Sequence, residues 1–168
     1  MKDQQLTHES SKFNTNSDPI EVSILLEVMN GPANLGSIFR NAEAFGVHQI
    51  LIHESNQIDL QSNRFKRTSR STEHRVKFKF YSSFKQIVND FKGYKAGIEI
   101  TKASKDISLL SKQKTSNLLL VFGNEKHGIS SEHLSRLDDC YHINMMGQNS
   151  SLNVAQTLGI SLYEVRRS

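Results

Sequence analysis

The sequence predicts an α/β domain on a mostly parallel, doubly wound sheet, and three observations carry that expectation. Short apolar runs rich in Val, Ile, Leu and Phe alternate along the chain with segments of helical period. Three of these runs, 20–28, 47–52 and 117–122, are apolar nearly throughout, as strands covered on both faces are. The polar loops richest in candidate chemistry follow predicted strands, and ligands of open α/β sheets bind beyond the carboxyl ends of strands. A chain of 168 residues is long enough for one core burying roughly two thirds of its unfolded surface.

Residues 1–18 are polar without an apolar period and read as a mobile tail, leaving 19–168 as a single domain. Pro19 precedes the first strand, 20–28, which Gly31 and Pro32 end. A short helix follows, with Asn34 as its N-cap, Ile38, Ala42 and Phe45 at helical spacing, and Gly46 at the C′ position. Arg40 lies off that apolar stripe and close to the helix start, where a cation opposes the helix dipole. From this segment alone it is either a solvated arginine or a functional one. The second strand, 47–52, ends at His53, which has no His or Cys at ligand spacing.

Residues 64–79 are the densest basic stretch, with seven Lys and Arg, interleaved Ser and Thr, and the two rings of Phe65 and Phe78. Such a segment offers phosphate-binding heads and stacking rings to a nucleic acid, or is a solvated basic loop. Residues 76–80 alternate as a strand does. Ser82 then caps a helix carrying Phe84, Ile87, Val88 and Phe91, closed by Gly93. Residues 94–100 form another strand ending in the polar loop 101–104, and 106–115 a short helix and its exit.

The most apolar strand, 117–122, runs into a loop where Gly123 and Gly128 bracket polar residues. There Glu125 either caps the helix beginning near Ser130 or has a functional role. Asp138 and Asp139 read as a turn, and Cys140 as a buried strand residue that cannot form an internal disulfide because it is the only cysteine. The last strand, 141–145, leads through a loop with Gly147 into a final helix, 152–166, capped by Ser150 or Ser151. Met145 and Met146 read as adaptable apolar lining rather than as soft metal ligands.

With 21 Lys and Arg against 17 Asp and Glu, the net charge is +4 and the isoelectric point about 9.2, which permits a nucleic-acid partner without requiring one. No apolar run approaches a membrane span and no signal-peptide core begins the chain, so a soluble, cytoplasmic protein is expected. Neither a phosphate-binding G-x-x-x-x-G-K-[ST] loop nor the dinucleotide fingerprint G-x-G-x-x-G occurs.

These segments resemble a known family. Residues 34–46, Asn-Leu-Gly-Ser-Ile-Phe-Arg-Asn-Ala-Glu-Ala-Phe-Gly, are similar to the first motif of the SpoU/TrmH family of RNA ribose 2′-O-methyltransferases, in the SPOUT class. Residues 120–129 resemble its second motif, and 143–164 its third. The resemblance implies that the C-terminal part of the sheet, about residues 117–167, is tied in a deep trefoil knot. It implies S-adenosyl-L-methionine as the cofactor, held by Thr101, Gly123, Ile143 and Leu152. Arg40 would be the catalytic residue, with Asn34, Glu125, Ser151 and Asn153 positioning it and the ribose. The basic stretch becomes an RNA-contact surface of Arg64, Lys66, Arg67, Arg70 and Arg75. A homodimer is implied, with no metal, acting on tRNA or rRNA, a tRNA guanosine slightly favoured. Two other classes stand beside it: an RNA-binding module without catalysis, disfavoured by the intact motif residues, and a nucleotide-dependent α/β enzyme, disfavoured by the missing glycine fingerprint.

Overall fold

The computed structural model describes residues 20–149 and 151–167. Its elements in chain order are β1 (Glu21–Leu26), α1 (Pro32–Ala44), β2 (Gln49–His53), α2 (Asn63–Ser69), β3 (Phe78–Tyr81), α3 (Phe84–Asp90), β4 (Tyr94–Ile98), β5 (Lys105–Asp106), β6 (Asn117–Phe122), α4 (Ser131–Leu134), β7 (Asp139–His142) and α5 (Val154–Arg166). The strands form one sheet in the order β3-β2-β1-β6-β4-β7-β5, and every neighbouring pair is parallel. The expected mostly parallel α/β architecture is therefore present.

Alternation sends each strand's apolar side chains to two separate cores. Val22, Ile24, Leu26, Leu118, Leu120 and Phe122 face α1 and α5, while Leu25, Leu119 and Val121 face Phe84 and Val88 of α3. Two covered faces explain why β1 and β6 read as continuous apolar runs. In register, Leu26 lies beside Phe122 and Phe122 beside Ile98, so the carboxyl ends of β1, β6 and β4 are level. The loops after them are thereby gathered on one rim.

Helix α1 buries Leu35, Ile38, Phe39 and Ala42, and Gly46, at φ 61°, turns the chain out of it. It meets α2 at Gly36, where a Cβ would lie 2.7 Å from Thr68 Cβ and 2.9 Å from the Phe65 carbonyl, so only glycine permits that approach. Helix α5 buries Val154, Leu158, Leu162 and Val165, and Asn41 of α1 donates to the Ala155 carbonyl at 2.7 Å. The Arg166 guanidinium donates to the carbonyls of Ile20, Phe45 and Gly46 at 2.7, 3.0 and 3.0 Å, tying the end of α5 to the start of β1 and the exit of α1.

Several expected boundaries change. Helix α1 starts at Pro32 behind Gly31, with no side-chain cap, so Asn34 lies inside the first turn rather than capping it. Helix α3 is capped by Ser83, not Ser82, through Gln86 N at 3.3 Å. Residues 107–112 form a 3-10 turn capped by Asp106. Asp139 opens β7 instead of lying in a turn: it accepts from the Tyr94 hydroxyl and pairs with Lys105 at 2.6 Å. The basic stretch is no loop, since α2 occupies its first half and buries Phe65. Cys140 is half-buried in β7. The expected tail, 1–18, lies outside the described residues.

Candidate functional site

The rim of level strand ends carries a cleft of about 670 Å³, within the volume range of small-molecule sites. The segment after β4 contributes Glu99, Ile100 and Thr101, and the loop after β6 contributes the stretch from Gly123 to Ile129. The segment after β7 and the approach to α5 add Ile143, Met145, Ser151, Leu152, Val154 and Thr157. All four residues expected to hold a cofactor, Thr101, Gly123, Ile143 and Leu152, line this one cleft, as do Glu125 and Ser151.

The loop after β6 is held shut on itself. Asn124 N donates to the Gly128 carbonyl at 3.2 Å and Gly128 N returns to the Asn124 carbonyl at 2.8 Å, with Gly128 at φ 64°. The returning strand passes so close that a Cβ on Gly123 would lie 2.2 Å from the Gly128 carbonyl carbon. The Glu99 carboxylate accepts from Ile129 N and Ile100 N at 3.0 Å each, joining the loops after β4 and β6. On the other side the Asn124 amide donates to the Val28 carbonyl at 2.6 Å, while its carbonyl oxygen accepts from Lys126 N at 2.8 Å.

A polar chain then joins all three sequence motifs. Glu125 accepts from Asn30 N at 2.8 Å and from the Asn34 amide at 2.7 Å. The Asn34 carbonyl oxygen accepts in turn from the Asn153 amide at 2.9 Å. Asn153 also caps α5, accepting from Ala155 N at 2.9 Å, so the expected cap at Ser151 does not form, and Ser150 lies outside the described residues. Ser130 caps α4 itself, so Glu125 has no capping role there. Residues 91 and 119 positions apart thus form one bonded array at the cleft. The Ser151 hydroxyl is exposed and has no partner among the described residues.

Arg40 is exposed and makes no hydrogen bond or ion pair with any described residue. It lies six positions after Asn34 on α1, about 9 Å further along the axis and about 120° around it. Within one chain, then, it does not join the Asn34, Glu125 and Asn153 array. Arg64, Lys66, Arg67, Arg70 and Arg75 are all exposed; among the described residues Arg75 pairs with Glu43 at 3.4 Å and Lys66 lies in the field of the Glu73 carboxylate. A second, shallower groove between α1 and α5 is lined by Asn34, Ser37, Asn41, Leu152, Asn153 and Ile160, among others.

Three site residues were not expected from the sequence: Asn30, Glu99 and His142. Asn30 donates its backbone N–H to the Glu125 carboxylate and its side-chain amide to the Asn124 side-chain oxygen, and Glu99 accepts from Ile129 N of a distant loop; neither placement has a local signal. His142 lines the cleft, with Nδ1 3.0 Å from the Ser104 hydroxyl and Nε2 3.2 Å from the Asn144 carbonyl oxygen. Among the described residues no group of three or more His, Cys, Asp or Glu could hold a metal ion, and no helix is long and apolar enough to cross a membrane.

Fold and site together define an α/β protein with a ligand cleft beyond the carboxyl ends of its strands. The family is more specific: the model of the SpoU rRNA methylase family matches residues 21–163, and the chain belongs to that family. It is 28% identical over 144 residues to the 23S rRNA (guanosine-2'-O-)-methyltransferase RlmB of Yersinia pestis, covering 86% of this chain and 58% of that protein. The chain thus spans less than two thirds of the length of the curated relatives it matches. Among solved structures, the AdoMet-bound rRNA methyltransferase of Sinorhizobium meliloti superposes with a TM-score of 0.78 at 24% identity, over 88% of this chain and 56% of that one. A protein solved in a study of 2-OH methylation of C/U34 on tRNA matches with a TM-score of 0.76 at 22% identity, over 97% of this chain and 98% of that one. At those identities the two structures establish the shared fold.

Proposed function

We propose that this protein is an S-adenosyl-L-methionine-dependent RNA ribose 2′-O-methyltransferase acting on tRNA or rRNA. The observation that carries the reading is the Glu125, Asn34 and Asn153 array, which runs from the cleft lined by Thr101, Gly123, Glu125, Ile143 and Leu152 into the groove between α1 and α5. The names of the relatives, which methylate guanosine 2′-hydroxyls of 23S rRNA or belong to a study of tRNA methylation, support the substrate class. The reading implies a cytoplasmic protein.

The cleft fits the cofactor in kind. Its volume suits a nucleoside-sized molecule, its walls include Ile98, Ile129, Ile143 and Leu152, and Glu99 and Thr101 supply polar groups. When bound, the cofactor supplies an electrophilic methyl group on a sulfonium. The chain must then align a ribose 2′-hydroxyl in line with that methyl and stabilise the oxygen as it gains charge. The reading gives Asn34, Asn153 and the free hydroxyl of Ser151 the task of orienting the ribose. A guanidinium is a donor only, so the role assigned to Arg40 is to bind a phosphate and the developing alkoxide, while phosphate or water takes the proton.

The separation of Arg40 from the array supports a site completed across a homodimer, with the groove between α1 and α5 as the contact face. The insertion of β6 between β1 and β4, with α5 returning onto α1, supports the threaded C-terminal segment that the family resemblance implies. The test has two parts. Calorimetric titration with S-adenosylmethionine should show binding to the cleft, weakened by Gly123→Ala. Incubation with total RNA and the cofactor, followed by mapping of alkali-resistant linkages, should reveal a new 2′-O-methyl nucleotide. Cofactor binding without any ribose methylation on tRNA or rRNA would sink the proposal.

A further inference from the structure

Beyond the cleft, the edge of the sheet at β3 has an unusual surface. Among the described residues β3 pairs only with β2, and its Phe78 and Phe80 are 36% and 38% exposed on the same face. Their rings meet edge-to-face at 5.8 Å, Phe78 meets Phe39 at 5.4 Å, and Phe39 meets the buried Phe65 at 5.3 Å. Four rings therefore run outward from the core, and Phe78 backs Phe80 so that its ring is held at the surface. An aromatic pair is costly to leave facing water, and more than a third of each residue's surface stays open to it, at 36% and 38%.

The charge around the rings is one-sided. Residues 63–81 hold seven Lys and Arg against a single acid, Glu73. Helix α2, which carries Arg64, Lys66 and Arg67, lies on the ring side of the sheet through the contact of Phe65 with Phe39. Lys77 and Lys79 alternate with the rings along the strand and are exposed on the other face. Exposed rings within a cationic field match an RNA segment whose bases are unstacked: phosphates answer the cations and a base covers a ring. A duplex keeps its bases inside and offers only phosphates.

We propose that Phe80, backed by Phe78, is a stacking platform for an unpaired base of the RNA substrate, and that the substrate crosses this edge as a single strand. The proposal rests on the RNA-methyltransferase reading and narrows its substrate to RNA that carries an unpaired segment. Of the two rings counted as stacking candidates in the sequence, Phe65 is 1% exposed and belongs to the core; Phe80 takes its place.

The full chain contains no tryptophan, so Phe80→Trp introduces a lone fluorescent reporter at the platform. Titration with an unstructured 12-nucleotide RNA should quench that reporter, whereas a 12-base-pair RNA duplex should bind without quenching. By fluorescence anisotropy, Phe80→Ala and Phe80→Leu should each weaken single-strand binding about 10- to 100-fold, the range for losing one stacked base, while Phe80→Tyr and duplex binding stay within about twofold of the parent. Leu keeps the apolar area but not the π face, which separates stacking from simple burial. Equal losses on duplex and single strand, full binding by Phe80→Leu, or a change in oligomeric state on Phe80→Ala would each overturn the platform. A parent chain that binds S-adenosylmethionine but neither RNA would instead overturn the RNA reading itself.

Discussion

Replacing Gly123 by Ala tests whether the loop after β6 is shaped by packing alone or also sets the cofactor site. The added Cβ would lie 2.2 Å from Gly128 C, 2.3 Å from Ile129 N and 2.6 Å from Gly128 O. Carbon atoms in ordinary contact stand about 3.5 to 4.0 Å apart, so the returning backbone must retreat by more than about 1 Å. That retreat strains the paired bonds between Asn124 and Gly128 and the Ile129 N bond to Glu99. Overpacking costs about 1 to 3 kcal/mol and the loss of two of these hydrogen bonds about 0.5 to 1.5 each, giving roughly 2 to 6 kcal/mol against the native loop. If the cofactor binds only that loop shape, the same energy is subtracted from its affinity, a loss of about 30-fold or more. Calorimetric titration with S-adenosylmethionine measures it, with thermal unfolding in parallel. Gly147→Ala is the control for stability, because a Cβ there meets nothing within 4 Å. Affinity of Gly123→Ala within threefold of the parent would refute the claim that this close approach shapes the site.

Four other outcomes are expected. Arg40→Ala should reduce single-turnover methylation by at least about 100-fold, the scale of losing one group aimed at developing charge, and Arg40→Lys should recover part of it with cofactor affinity unchanged; near-parental rates in both would remove Arg40 from catalysis. Combining Lys66→Ala, Arg67→Ala and Arg70→Ala should lower the slope of log affinity for RNA against log salt by about 2 to 3 and leave cofactor binding alone; an unchanged slope counts against this surface. Arg166→Met leaves the carbonyls of Ile20, Phe45 and Gly46 without their charged donor, and should cost about 2 to 4 kcal/mol and lower Tm by roughly 5 to 15 °C, read by calorimetry. Lys105 and the Tyr94 hydroxyl hold the Asp139 carboxyl below the usual carboxylate range, so its contribution is present above about pH 4 and is lost as pH falls through the lowered value; Asp139→Asn should therefore lose less stability than the parent on acidification, and parallel curves would refute the linkage.

Much of this architecture was legible because two covered sheet faces leave an unmistakable trace: the continuous apolar runs of β1 and β6 cannot be half-solvated strands. Level strand ends follow from the parallel register, so loops after β4, β6 and β7 could be expected to share a site. What stayed hidden is the part that depends on which distant backbone comes near. Glu99 reads as an outward polar residue between two isoleucines, and only the return of Ile129 past Gly123 gives its carboxylate a second N–H donor beside that of the adjacent Ile100. The basic stretch misled for a different reason: its helix has 7 residues, is capped by Ser62, and leaves through Arg70 and Ser71 at φ 51° and 66°, conformations that glycine-based turn signals do not announce.

The misassigned caps point to a physical division of labour at the site. Asn34 has the residue type and position of an N-cap, yet α1 starts two residues earlier through Gly31 at φ 94° and Pro32, which fit a helix entry without side-chain help. That arrangement releases the Asn34 amide to bond Glu125 and its carbonyl oxygen to accept from Asn153. Asn153, in contrast, keeps its cap through Oδ1 and spends only Nδ2 on the array. The start of α5 is thus fixed by the same side chain that fixes Asn34, and any shift of the loop before α5 is felt at Glu125 two bonds away. A local preference set aside at Asn34 and retained at Asn153 is what couples the groups proposed to face the ribose to the loop proposed to face the cofactor, and it is where sequence rules should fail if the site has a function.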